Sequence, residues 1–404
     1  MFKFLTPISI LLLTGVLSMA SLDMHCQEVK KKDVNLHKIE PGAYQFSMYL
    51  PQIKSKNVGL VVNHTSVVGS AHLVDTLLSL DVGIKAIFAP EHGFKGSADP
   101  GEHIVDGMYM ENIPIYSLYG SNRKPSPQHL EGLDLLIFDI QDVGVRFYTY
   151  LSTMHYAMEA AAEQGIQIMV LDRPNPNIHY VDGPVMEEAF TSFVGLHPVP
   201  IVYGMTIGEY AKMINGEGWL ANGIKADLKI IECQNYSRLA SYELPIAPSP
   251  NLPNQRSILL YPSLCLFEGT TVSIGRGTDS QFQLVGHPTL EDMPFSFTPV
   301  SNFGSKNPKH KDTPCFGRNL TEISVDELMT QKGLNLSYLL EFAQKLHAEN
   351  ETFFNENNYF EKLAGTRNLR IQIQAGLNTD QIKSTWKEGI DGFNEIRSKY
   401  LIYQ

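Results

Sequence analysis

Three times in its first half the chain passes from a short apolar, strand-like run straight into a dense cluster of polar residues. Ile84-Lys85-Ala86-Ile87-Phe88-Ala89 ends in Pro90-Glu91-His92-Gly93-Phe94-Lys95-Gly96. Leu135-Leu136-Ile137-Phe138 ends in Asp139-Ile140-Gln141-Asp142-Val143-Gly144-Val145-Arg146, and Ile168-Met169-Val170-Leu171 ends in Asp172-Arg173-Pro174-Asn175-Pro176-Asn177. Short β-branched runs separated by helical patterns mark a parallel sheet covered on both faces. Ligands bind outside the carboxyl ends of such strands. Three clusters of Glu, Asp, His, Arg and Asn at those ends therefore predict one composite site.

From residue 58 onward the pattern alternates. It gives strand 58–62, helix 72–80, strands 84–89 and 135–138, helix 150–164, strand 168–171, a helix around 207–214 and strand 228–232. Within 150–164, Leu151, Met154, His155, Met158 and Ala162 share one helical face, and Gly165 stops the helix. This is an α/β, Rossmann-like arrangement. Prolines 245, 248, 250 and 253 cannot continue regular structure and suit a domain junction. Beyond them the patterns are shorter, with a loop-like stretch at 301–314. The chain closes on a helix carrying Ile382, Trp386, Ile390, Phe393, Ile396 and Tyr400 on one stripe, with Asn378 or Thr379 to cap it. The expectation is a Rossmann-like domain over 40–250 and a smaller α+β domain over 255–404, each with its own core.

A net charge of −11 and the lack of any basic stripe argue against nucleic acid or an anionic membrane as partner. The N-terminus stands apart. Lys3 precedes an apolar stretch at 8–17 and the small-residue sequence Ser18-Met19-Ala20, a secretory pattern too short for a confident membrane span. Residues 1–25 are thus expected to be a signal peptide and leader that sends the protein to the periplasm without stable membrane insertion; the alternative is an uncleaved anchor. Asp23-Met24-His25 before Cys26 poorly matches a lipid-modified cysteine site. Cys233, Cys265 and Cys315 are widely spaced, show no metal-binding spacing, and leave at least one unpaired thiol.

Glu91 is the sharpest catalytic candidate. It sits at a strand end, and Gly93 and Gly96 permit a tight loop that presents it. A carboxylic acid enclosed in a cleft keeps its proton to higher pH, which suits a general acid; the plain alternative is a Glu that caps or braces a loop. Asp139 and Asp142 either supply a second acid–base group or bond turn N–H groups. Arg146, Arg173 and Arg276 either clamp an anionic substrate group or pair with Asp139, Asp142, Asp172 or Asp279. Tyr116, Tyr119, Tyr148 and Tyr150 either stack on sugar C–H faces or pack internally. Other chemistries find less support. His92, His103, Asp139 and Asp142 lack the spacing of a helical metal site. Val62 leads to Asn63-His64-Thr65-Ser66 instead of a glycine-rich dinucleotide turn, so no cofactor is expected. Gly275-Arg276-Gly277-Thr278 lacks the phosphate-loop lysine, and no Gly-x-Ser-x-Gly elbow occurs.

The segments Ala89-Pro90-Glu91-His92-Gly93-Phe94, Gln141-Asp142-Val143-Gly144-Val145-Arg146-Phe147-Tyr148-Thr149-Tyr150, Asp172-Arg173-Pro174-Asn175-Pro176, Ser249-Pro250-Asn251-Leu252-Pro253 and Glu268-Gly269-Thr270-Thr271-Val272-Ser273-Ile274-Gly275-Arg276-Gly277-Thr278 occur in that order. Together they resemble the NamZ family of exo-β-N-acetylmuramidases, formerly a domain of unknown function, from about Gly59 to Tyr403. The resemblance implies a glycosidase that releases N-acetylmuramic acid from non-reducing ends of peptidoglycan fragments. It implies a cleft between a Rossmann-like and a smaller domain, with Glu91 central to catalysis. It draws attention to His92, Gln141, Arg146, Tyr148, Arg173, Asn175, Asn251 and Arg276 as substrate-binding candidates. Asp142 is the candidate partner carboxylate, unless the substrate's own acetamido group serves as nucleophile. The lactyl carboxylate of N-acetylmuramic acid calls for a fixed cation, which Arg146, Arg173 or Arg276 could supply, Arg173 and Arg276 being favoured. Two other classes remain in view: a metal-dependent deacetylase or amidase acting on cell-wall sugars, and a non-catalytic periplasmic binding protein.

Overall fold

Six parallel strands carry the first half of the chain. The computed structural model describes residues 38–404 except 100, 101, 103–105 and 111; the expected leader, Cys26 and His103 lie outside the described residues. Strands β1 (Asn57–Val62), β2 (Gly83–Ala89), β3 (Gly107–Tyr109), β4 (Ile113–Ser117), β5 (Leu135–Asp139), β6 (Gln167–Leu171) and β7 (Leu228–Ile231) form one sheet in the order β3-β4-β2-β1-β5-β6-β7. Every neighbouring pair is parallel except β3–β4, a short edge hairpin that the sequence pattern did not reveal. Pro114 interrupts the apolar run of β4 and confines it to that side of the sheet. The five expected strands all appear within a residue or two of their expected bounds. Strand order reverses at β1, which has β2 on one side and β5 on the other, opening a crevice beyond the carboxyl ends there.

The strands read as unbroken apolar runs because both faces are covered. Val58, Leu60, Val62, Leu135, Ile137, Met169 and Leu171 pack under helices α1 (Phe46–Ile53) and α2 (Leu73–Ser79). Val61, Phe88, Leu136, Phe138, Ile168 and Val170 face the other way, into a larger core with α3 (Tyr150–Glu163) and α4 (Ile207–Glu217).

That larger core overturns one expectation. The two halves do not have separate cores: Ile258 and Leu264 of α5 (Gln255–Leu264), Leu363 of α6 (Tyr359–Ala364), Phe267, Phe342 and Phe393 join the same cluster as Phe88 and Met154. The reason is size. The second half's sheet is three short antiparallel strands, β8 (Leu284–His287), β9 (Phe295–Phe297) and β10 (Cys315–Asn319), in the order β8-β10-β9. So small a sheet encloses little apolar surface, and the surrounding helices turn to the first half for cover. Polar bonds reinforce the union. The Tyr403 hydroxyl donates to Asp172 Oδ2 (2.7 Å) and accepts from the Cys233 N–H (2.8 Å), and Glu209 Oε1 accepts the Ile402 N–H (2.7 Å).

The closing helix is two helices, α7 (Thr379–Ser384) and α8 (Lys387–Ser398). Asn378 caps the first through a reciprocal pair of bonds with Gln381. Between them, Thr385 and Trp386 N–H groups bond three residues back, and the Thr385 hydroxyl donates to the Ile382 carbonyl at 2.7 Å, competing with the helix ladder. The apolar stripe survives the break: Ile382, Trp386 and Phe393 are all buried. Cys233, Cys265 and Cys315 are buried without disulfides.

Candidate active site

The loop after β2 is built to display one carboxyl group. His92, Gly93 and Gly96 have φ of 69°, 75° and 65°, so the chain curls immediately after Glu91. His92 Nδ1 lies 2.7 Å from the Ala98 carbonyl, and the Ala98 N–H donates to the His92 carbonyl at 3.2 Å. A Cβ at Gly96 would collide with the His64 ring, which is itself anchored to the Ala247 carbonyl at 2.9 Å. Burial lowers the His64 pKa, keeping that ring neutral. Glu91 emerges 9% exposed, its Oε2 accepting the Thr149 hydroxyl at 2.6 Å.

The next two strand ends do something different. Asp139, at the end of β5, is fully buried and holds Arg173 through both oxygens, at 2.6 Å from Nε and 2.8 Å from Nη2. Burial alone would weaken the Arg173 charge, but Asp139 more than restores it. Arg173 is thereby engaged by Asp139, where the expectation had it binding substrate. Gln141 donates to the Asp142 and Pro174 carbonyls, tying the two strand-end loops together. Asn175 donates to the Met205 carbonyl and accepts the Asn177 N–H. Arg146, 1% exposed, gives its guanidinium to four carbonyls: Pro184 and Val199 from Nη1, Leu363 and Ala364 from Nη2. Burial with no anionic partner draws its pKa down to about 9. Asp142 is 3% exposed; its Oδ2 accepts the Gly144 N–H at 2.7 Å and the Tyr203 hydroxyl, while Oδ1 has no partner. Burial pushes its pKa up to about 6 against the pull of those bonds.

A cavity of about 520 Å³ opens beside Glu91. Of the expected residues, Glu91, His92, Tyr148, Asn251 and Arg276 line it; Asp142, Gln141, Arg146, Arg173 and Asn175 do not. Tyr148 donates to the Pro248 carbonyl (2.7 Å) and Asn251 Nδ2 to the Gly304 carbonyl (2.7 Å), leaving Asn251 Oδ1 unpartnered. Tyr150 and Tyr119 also line the wall, whereas Tyr116 stacks on His129 with ring centroids 4.0 Å apart and stays outside it. Also in the wall, Arg276 bonds Glu268 Oε1 through Nε at 2.5 Å and lies over the Phe282 ring at 5.1 Å, while its enclosed Nη1 has no partner. Burial pushes the Glu268 carboxyl up, but Arg276 and Lys309 outweigh it and hold it below its usual range, so it stays ionised. Among the described residues no group of three or more His, Cys, Asp and Glu is arranged to hold a metal ion.

Residues 58–256 match the family described as exo-β-N-acetylmuramidase NamZ, N-terminal, and residues 259–403 match its C-terminal counterpart. The chain belongs to the NamZ exo-β-N-acetylmuramidase family. It is 38% identical over 377 residues to the peptidoglycan β-N-acetylmuramidase NamZ of Bacillus subtilis (strain 168), covering 88% of this chain and 89% of that one. Two crystal structures of DUF1343 family proteins from Bacteroides fragilis share the fold. One has TM-score 0.83 at 45% identity and the other TM-score 0.77 at 26% identity; each match covers 91% of this chain and 99% of its partner.

Several lining residues of this NamZ-family cavity escaped the sequence reading. Glu268 lay inside a quoted motif but was never weighed as a site residue; its signal was an acid eight positions before an arginine expected to bind anions. Thr149 stands one residue before α3, where a threonine ordinarily serves as a helix cap. Arg123, stacked 4.6 Å over Phe193, and Lys362, on the exposed side of α6, carried no local signal at all.

Proposed function

We propose that the protein is an exo-acting glycosidase releasing N-acetylmuramic acid from non-reducing ends of peptidoglycan fragments, with Glu91 as general acid. The observation that carries this reading is that one cavity is lined both by a carboxyl group with one oxygen still available and by an arginine whose enclosed Nη1 has no partner. Glu91 would protonate the glycosidic oxygen as the bond breaks. Arg276, fixed at its Nε end by Glu268, would turn its Nη1 to the lactyl carboxylate. Asp142 is enclosed and Glu268 is tied to Arg276, so neither is positioned to attack the anomeric carbon. The substrate's acetamido oxygen takes that role in this scheme. It requires net retention of configuration, readable by NMR of the freshly released sugar; inversion would rule it out.

The decisive experiment is turnover of a chromogenic N-acetylmuramide beside the matching N-acetylglucosaminide. Strong preference for the muramide is expected, and equal rates would sink the arginine–carboxylate pairing. Turnover undiminished by chelator separates this chemistry from a metal-dependent deacetylase or amidase, and turnover of any kind separates it from a binding protein. Export to the periplasm is part of the proposal, resting on the leader pattern around residues 3–20. The proposal includes that the exported protein carries no lipid anchor, and a mature protein recovered in the membrane fraction with an acylated Cys26 would overturn that part.

A further inference from the structure

We infer that Thr149 is a positioning residue that decides which oxygen of Glu91 carries the transferable proton. The inference rests on the reading of Glu91 as general acid. Thr149 occupies the position just before α3, where a threonine hydroxyl ordinarily accepts an N–H from the first helical turn. Elsewhere in this chain such residues do so: Ser126, Thr206, Asn254, Ser324 and Asn378 each accept a backbone N–H of the helix they begin. Thr149 makes no capping bond. Its hydroxyl donates instead to Glu91 Oε2 at 2.6 Å, across 58 positions of sequence.

A hydroxyl has one proton to donate. Once it is given to Oε2, that oxygen must accept, and the carboxyl proton resides on Oε1. Among the described residues no donor is bonded to Oε1, and Glu91 lines the cavity. The rigid start of α3 thus fixes both the rotation of the carboxyl group and the site of its proton.

Other groups face Glu91 and must be separated from this effect. Tyr150 and Tyr359 feel its charge, but burial raises both phenols far above the working range. Glu268 and Arg276 stay ionised as a pair across the cavity, and Asp142, enclosed nearby, acts on Tyr150. His92 is on the same loop, so the pH profiles are compared in a His92→Gln background as well.

The test is a set of three variants assayed on a natural muramyl disaccharide and on a dinitrophenyl N-acetylmuramide, whose leaving group needs no proton. Thr149→Val removes the donor but keeps the shape. It should lower kcat on the disaccharide about tenfold or more. The basic limb of its kcat/KM profile should move to higher pH, because the carboxylate has lost a stabilising donor. The dinitrophenyl substrate should be nearly unaffected, and Thr149→Ser should restore both readouts. Equal losses on the two substrates with an unmoved basic limb would show that Thr149 only braces the loop, and the inference would fall. Glu91→Gln separates that failure from a failure of the underlying reading: near-normal disaccharide turnover in that variant would remove Glu91 itself from the role.

Discussion

Two arginine–carboxylate pairs stand near the carboxyl ends of this sheet and its covering half, and they have opposite characters. Arg173 and Asp139 are 2% and 0% exposed and satisfy one another in a two-pronged bond. Arg276 and Glu268 are 22% and 20% exposed, share a bond through Nε, and leave Nη1 without a partner. The first pair holds two strand-end loops in register and does not line the cavity beside Glu91. The second lines a cavity and leaves one enclosed nitrogen, Nη1, without a partner. Residues of the first kind should therefore govern stability, and residues of the second kind rate and selectivity.

The largest test of that division is Glu91→Gln. It should cut disaccharide turnover by about 10²–10⁴-fold while leaving the melting temperature within a degree or two of wild type; a large loss of stability would move Glu91 to the framework group. Next comes Asp139→Asn, which strands the Arg173 guanidinium in the interior. Chemical denaturation should show a loss of about 3–5 kcal/mol, with kcat of the protein that remains folded little changed. A silent Asp139→Asn would erase the contrast between the pairs.

A third test uses pH. Asp142 titrates at about 6 when folded, against 3.8 as a free side chain, because burial disfavours its charge. Between those values the folded protein binds the proton more tightly than the unfolded chain, so this group's contribution to stability falls as pH rises through that window. The shift corresponds to at most about 3 kcal/mol. Relative to wild type, Asp142→Asn should gain stability between pH 4 and 6; a pH-independent difference would contradict the buried assignment. The smallest effect expected is that of Arg276→Ala, which should erode preference for muramide over glucosaminide by about ten- to a hundredfold. It should destabilise the protein less than Asp139→Asn does.

The same contrast explains what could be read from the sequence. The sheet was legible because burial on both faces writes itself into continuous apolar runs, as in Leu135-Leu136-Ile137-Phe138. Glu91 was legible because a strand end followed by glycines is a local signal. The fates of Arg146 and Arg173 were not, since each depends on partners that the fold brings together. Arg173 meets an aspartate 34 positions away and Arg146 meets carbonyls more than 200 positions away. For the same reason Asp142 looked like a second catalytic acid until Tyr203 and Gly144 were seen to enclose it. Thr149 was hidden by its own plausibility, because nothing local distinguishes a helix cap from a hydroxyl turned toward a distant carboxylate.

The bond from Tyr403 to Asp172 bears on how the polypeptide is born. Asp172 directly follows β6, yet one of its donors, Tyr403, lies 231 positions further along the chain. Synthesis runs from the other end, so β6 and β7 emerge long before the tyrosine that finishes their edge. Until then Asp172 lacks that donor, and the face formed by Phe88, Phe138 and Val170 lacks the helices of the second half. A fragment ending near residue 256 should accordingly bind a hydrophobic dye and be cut readily by protease, and adding residues 257–404 in trans should quench both.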